Sequence, residues 1–94
     1  MMREKDIEQK FKKAVEAHGG ICLKLDPTTM VGIPDRLAIL PGNHIAFIEL
    51  KAPGKHPRPI QIHRHNQLRA IGCKVGILDN PNNIESLIHE IRAS

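Results

Sequence analysis

The feature that most narrows the fold is a pair of apolar runs, Arg36 to Leu40 and Ile45 to Leu50, joined by Pro41-Gly42-Asn43. Runs of that length, split by a turn of that composition, predict a β-hairpin. A hairpin cannot bury its own faces, so the rest of the chain must cover it. Ninety-four residues suffice for one core, and residues 1–94 read as a single domain. Ahead of the hairpin, Ile7, Phe11, Ala14 and Val15 recur at spacings of three and four, predicting an amphipathic helix from Arg3 to His18 that Gly19-Gly20 ends. Ile21 to Leu25 alternates, with Ile21, Leu23 and Leu25 opposite Cys22 and Lys24, as in a half-buried strand. Asp26 to Pro34 is a loop rich in Pro, Thr and Gly.

Beyond the hairpin, Ala52 to Pro59 carries Pro53, Pro57, Pro59 and Gly54 and reads as an ordered loop. A second helix is predicted over Pro59 to Ile71, with proline suitably at its first turn. Lys74 to Leu78 forms a fourth strand, Asp79 to Asn83 a turn, and Ile84 to Ile91 a last helix with Ile84, Leu87, Ile88 and Ile91 on one face. The order α-β-β-β-α-β-α predicts an α/β fold, a central mixed sheet flanked by helices. Its last strand runs parallel to the third, because a crossover helix joins them.

Composition restricts what such a domain can do. The only Phe, Trp or Tyr residues are Phe11 and Phe47, which argues against stacking of bases on aromatic platforms. Fourteen Lys and Arg against ten Asp and Glu give a net charge of +4, which suits a polyanionic partner without requiring one. Cys22 and Cys73 follow no metal or redox spacing and read as buried free thiols, as expected in a reducing cytosol. There is no apolar signal region and no run of membrane-spanning length, so a cytoplasmic setting with no membrane contact is expected.

The chemically odd residues interrupt apolar runs. Ile45-Ala46-Phe47-Ile48 should continue as a buried strand, yet Glu49 and Lys51 follow, separated by Leu50. Alternation points Glu49 and Lys51 to one face and Leu50 to the other. Asp35 opens the preceding hairpin strand, so the hairpin brings Asp35 beside Glu49 at one end. Two adjacent carboxylates repel unless a cation lies between them, and a hard divalent ion such as Mg²⁺ takes such oxygen ligands. In phosphodiester hydrolysis such a metal polarises the phosphate and acidifies a bound water, which a lysine can orient. An isolated Glu-x-Lys is more often a surface ion pair; Pro34-Asp35 at the start of the partner strand is what favours a site.

Gly32-Ile33-Pro34-Asp35-Arg36, then Phe47-Ile48-Glu49-Leu50-Lys51-Ala52-Pro53-Gly54, then Pro57-Arg58-Pro59-Ile60-Gln61 resemble, in order and spacing, the VRR-NUC (virus-type replication-repair nuclease) domain of the PD-(D/E)XK nuclease superfamily, in its stand-alone viral and bacterial form. The resemblance runs from the first helix to the fourth strand and implies a restriction-endonuclease-like core of order α-β-β-β-α-β. It implies a Mg²⁺- or Mn²⁺-dependent DNA endonuclease of phage or bacterial replication, recombination or repair. It implies that Asp35, Glu49 and the Leu50 carbonyl bind metal and that Lys51 assists the attacking water. A first-helix glutamate completes such sites; Glu8 matches, reaching the metal directly or through water, with Glu4 one turn earlier as the rival. Gln61 matches the late-motif glutamine. The resemblance also suggests a homodimer that resolves four-way (Holliday) junctions, with a flap or other branched-DNA nuclease, or a non-catalytic nucleic-acid-binding module, as alternatives.

Lys55, His56, Arg58, His63, Arg64, His65 and Arg69 make the densest basic stretch. With Arg36, the residues Lys55, Arg58 and Arg64 are the candidates for phosphate contacts. His63 and His65 differ by two on a helix and so face different sides, which argues against a zinc site.

Overall fold

A computed structural model describes residues 2–93; Met1 and Ser94, the ends of the expected domain, lie outside the described residues. Its elements are α1 (Glu4–Ala17), β1 (Ile21–Lys24), β2 (Arg36–Leu40), β3 (His44–Leu50), α2 (Pro59–Ala70), β4 (Lys74–Leu78), a 3₁₀ turn (Pro81–Asn83) and α3 (Ile84–Arg92). The hairpin forms as its sequence requires: Leu40 pairs with His44 around Gly42 and Asn43, both at positive φ, and the register runs back to Arg36 opposite Ile48. β1 pairs antiparallel with β2, and β4 pairs parallel with β3, giving a mixed sheet of order β1-β2-β3-β4.

The core lies on one face of that sheet. Ala38, Leu40, Ala46, Ile48 and Leu50 from the hairpin meet Ile7, Phe11 and Val15 of α1 and Ile84, Ile88 and Ile91 of α3. Phe11, Ile7 and Ile48 are fully buried, each side chain contributing about 1.5–3 kcal/mol. The small Ala38 and Ala46, adjacent in the register, let the helices approach the sheet closely.

α2 crosses the opposite face and differs in kind, since its buried residues are Gln61 and His65. The loop before β2 packs against it at Gly32. There φ is +84° and an added Cβ would lie 2.7 Å from the Ile60 carbonyl oxygen, so only glycine fits.

β1 forms the expected half-buried strand. Cys22 is the buried residue, in line with Ala38 beneath α1, while Ile21 and Leu23 are 57% and 45% exposed. The core-bearing helices cover the Cys22 side, and no helix covers the outer side of this edge strand. Cys73 is half-buried rather than buried.

Candidate active site

The hairpin register carries the chemistry to one end of the sheet. Arg36 opposite Ile48 leaves Asp35 just beyond the last β2–β3 pair, beside Glu49 and Leu50. Asp35 Oδ2 accepts the Leu50 N–H at 2.9 Å, and the Asp35 carbonyl accepts the Leu25 N–H at 2.9 Å, so the residue is held from both neighbouring strands. In an extended strand a residue's N–H and C=O project to the same side, so the Leu50 carbonyl also faces Asp35.

Glu49 projects to the α2 face and is 1% exposed. Its Oε2 lies 3.6 Å from Lys51 Nζ and accepts from Gln61 Nε2 at 3.2 Å. Its Oε1 lies 3.3 Å from His65 Nε2. Gln61 works at both ends of its amide, since its Oε1 also accepts the Arg58 N–H at 2.8 Å and closes the first turn of α2. Local capping and contact with the site thus occur together.

Burial, then the charge of Asp35 and a hydrogen bond with it, push the Glu49 carboxyl up to about 8, against which Lys51 acts only in part. Such a pair favours either a shared proton or a cation. The donor set of two carboxylates and a backbone carbonyl suits a hard divalent ion, with waters filling the remaining positions. Among the described residues no three His, Cys, Asp or Glu side chains gather closely enough to hold an ion alone, so an ion here would also take the carbonyl and waters.

The raised Glu49 pKa has a definite sign. Its folded value lies above the ordinary carboxyl range, so its contribution to stability is complete at acid pH and is lost as pH rises through about 8. In EDTA, the melting temperature of Glu49→Gln should therefore gain on that of wild type as pH rises from 5 to 9. Melting curves at several pH values check this; a difference independent of pH would show that Glu49 ionises normally.

Several expected residues lie elsewhere. Arg36 is 6% exposed, with its Nε donating to Glu8 Oε2 at 2.7 Å and its Nη1 to the Cys22 carbonyl at 3.4 Å. It is too buried to serve as a phosphate ligand, because alternation places it on the core face with Ala38 and Leu40. Glu8 is committed to that buried pair, with 12% of its side chain exposed. Glu4 is the helix glutamate that senses the site: its carboxyl is raised by partial burial and by the charge of Asp35, with Lys51 acting in the opposite sense. Arg64 ties α2 to the preceding loop, its Nε donating to the Val31 carbonyl at 2.7 Å and its Nη1 to Gln67 at 2.8 Å. Lys55 and Arg58 are exposed, and so is His63, whereas His65 is buried. The contact of His65 with Glu49 was not anticipated; its spacing of four from Gln61 was the available signal.

No family model matches the chain. It is 41% identical over 80 residues to "Putative nuclease p44" of Acyrthosiphon pisum secondary endosymbiont phage 1, an alignment covering 85% of this chain and 86% of that protein. A solved structure described as a VRR_NUC domain superposes with a TM-score of 0.85 at 31% identity, covering 95% of this chain and 97% of that one.

Proposed function

The chain belongs to the VRR-NUC nuclease family, and on that footing we propose that it is a Mg²⁺- or Mn²⁺-dependent endodeoxyribonuclease, acting as one domain of residues 1–94 on branched DNA. The observation that carries this is Glu49: a carboxyl buried against Asp35, pushed up to about 8, with Lys51 on the same face. Asp35, Glu49 and the Leu50 carbonyl would hold the metal, which would supply polarisation of the scissile phosphate and a lowered pKa for a bound water. Lys51, its side chain 13% exposed, orients the attacking water and stabilises charge developing on the phosphate. Gln61 holds the Glu49 carboxylate in place. Glu4 is the first-helix acid assigned to the site, because Glu8 is engaged by Arg36 and the charge of Asp35 raises the Glu4 carboxyl. Lys55 and Arg58, exposed on the loop leading into α2, take the phosphate backbone.

The test uses labelled linear duplex, flap and four-way-junction DNA with Mg²⁺, Mn²⁺ or EDTA. Paired symmetric cuts in the junction, dependent on metal, are expected; cutting in EDTA, or of no substrate with either metal, would reject the reading. Cuts confined to flaps would replace junction resolution with single-strand processing.

Two symmetric cuts call for two subunits. A dimer is supported by the outer sheet face, where Ile21, Ile39 and Ile45 form one cross-strand row and Leu23, Leu37 and Phe47 the next. Ile21, Leu23 and Ile45 are 57%, 45% and 41% exposed, an apolar area of the kind that marks an interface. Sedimentation should give a dimer that Leu23→Lys with Ile45→Lys converts to a folded monomer. A monomeric wild type at micromolar concentration would remove the resolvase assignment. No described helix is long and apolar enough to cross a membrane, and the place of action proposed is the cytoplasm of a bacterial or phage-infected cell.

A further inference from the structure

A helix packed on a sheet normally buries aliphatic side chains, because buried polar groups cost free energy unless each finds a partner. α2 departs from that pattern. Its buried residues, Gln61 at 7% and His65 at 1% exposure, are both polar and lie one turn apart. Each has its partner on the same side chain: Gln61 Nε2 reaches Glu49 Oε2 at 3.2 Å, and His65 Nε2 reaches Glu49 Oε1 at 3.3 Å. The two oxygens of one carboxylate are therefore held separately from one helical face, which fixes both the position of the group and the rotation of its plane.

We propose that His65 is a positioning residue for the metal centre, its Nε2–H holding Glu49 Oε1 so that the carboxyl group is already in position when a divalent cation arrives. This rests on the metal-dependent reading above and adds a role for a residue outside the Asp35, Glu49, Lys51 and Gln61 set. The choice of group has a physical reason. A lysine or arginine in this place would compete with the cation for Glu49, whereas an amide and a neutral imidazole orient the carboxylate and leave its charge available. Long side chains ordered in advance also lose less freedom on binding. Lys51, 3.6 Å from the other oxygen, then stays free to move towards phosphate or water.

Mn²⁺ binding, followed by the paramagnetic resonance signal of free Mn²⁺, tests this without reference to cleavage. Outer-shell partners of metal ligands typically contribute about ten- to a hundredfold in affinity, so His65→Leu should weaken binding by that factor. His65→Gln, which can present an amide N–H from a similar position, should recover most of it. A leucine variant that binds as tightly as wild type overturns the proposal, as does a glutamine variant as weak as leucine. Nitrogen-15 resonances of the Mg²⁺-loaded wild type give a second readout that needs no variant to fold. The proton on Nε2 supports the proposal, and the proton on Nδ1 with Nε2 bare overturns it. A wild type that binds no Mn²⁺ rejects the metal reading itself, an outcome distinct from normal binding insensitive to residue 65.

Discussion

Asp35→Asn is expected to reduce metal-dependent cleavage by roughly a thousandfold, several kcal/mol of charge stabilisation at about 1.4 kcal/mol per decade. The substitution is nearly isosteric, and the asparagine oxygen can still accept the Leu50 N–H that Asp35 now accepts at 2.9 Å. The end of β3 should therefore remain in place, and circular dichroism and melting should change little. What the variant loses is one of the two carboxyl groups proposed to hold the metal. Removing it takes away the second-largest influence that raises Glu49, whose carboxyl then ionises more readily. The expected combination is thus a more normal Glu49 with a weaker metal site. Single-turnover cleavage of a junction or flap, with Mn²⁺ titrated over the range that saturates wild type, measures the loss. An Asn variant that cuts at the wild-type rate would show that Asp35 is not a ligand.

The second large effect concerns stability. Arg36→Met should destabilise the protein by about 3–5 kcal/mol, because Glu8 would remain buried beside the core with no countercharge. That is a large share of the total for a domain this small, where about 5–15 kcal/mol is usual. Replacing both partners, as Glu8→Leu with Arg36→Met, should recover most of the loss, since apolar groups of similar volume often match a buried ion pair. Urea unfolding of wild type, both single variants and the double variant measures the coupling directly. The same set separates the two helix glutamates. A stable double variant that still cleaves leaves Glu8 as a structural partner, and Glu4→Gln should then slow cleavage with little effect on folding. A stable double variant without activity would return Glu8 to the metal site. An Arg36→Met protein as stable as wild type would mean that the pair contributes nothing.

The hairpin, the three helices and the parallel return of β4 were legible in the sequence because each rests on local signals. The apolar period of α1, the Pro-Gly-Asn turn and the crossover helix each leave few alternatives. Alternation placed Asp35 and Glu49 at one end of the hairpin, and the register of Arg36 opposite Ile48 agrees with it. Glu8 and Arg36 were harder. On a helix, Glu4 and Glu8 differ by one turn and share a face, so periodicity ranks neither above the other. On a strand, an arginine at the first position can face solvent or core, and nothing local distinguishes the two.

Asp35, Glu49 and Lys51, and the strands that bring them together, were thus determined by the sequence itself, through turn chemistry and the two-residue period of a strand. Only the tertiary structure decided that Cys22 rather than Leu23 turns inward, that Arg36 is Glu8's buried partner, and that His65 meets Glu49. Each of those depends on which helix covers which face of the sheet. That choice is made by the burial of the whole chain at once, and no single segment contains it.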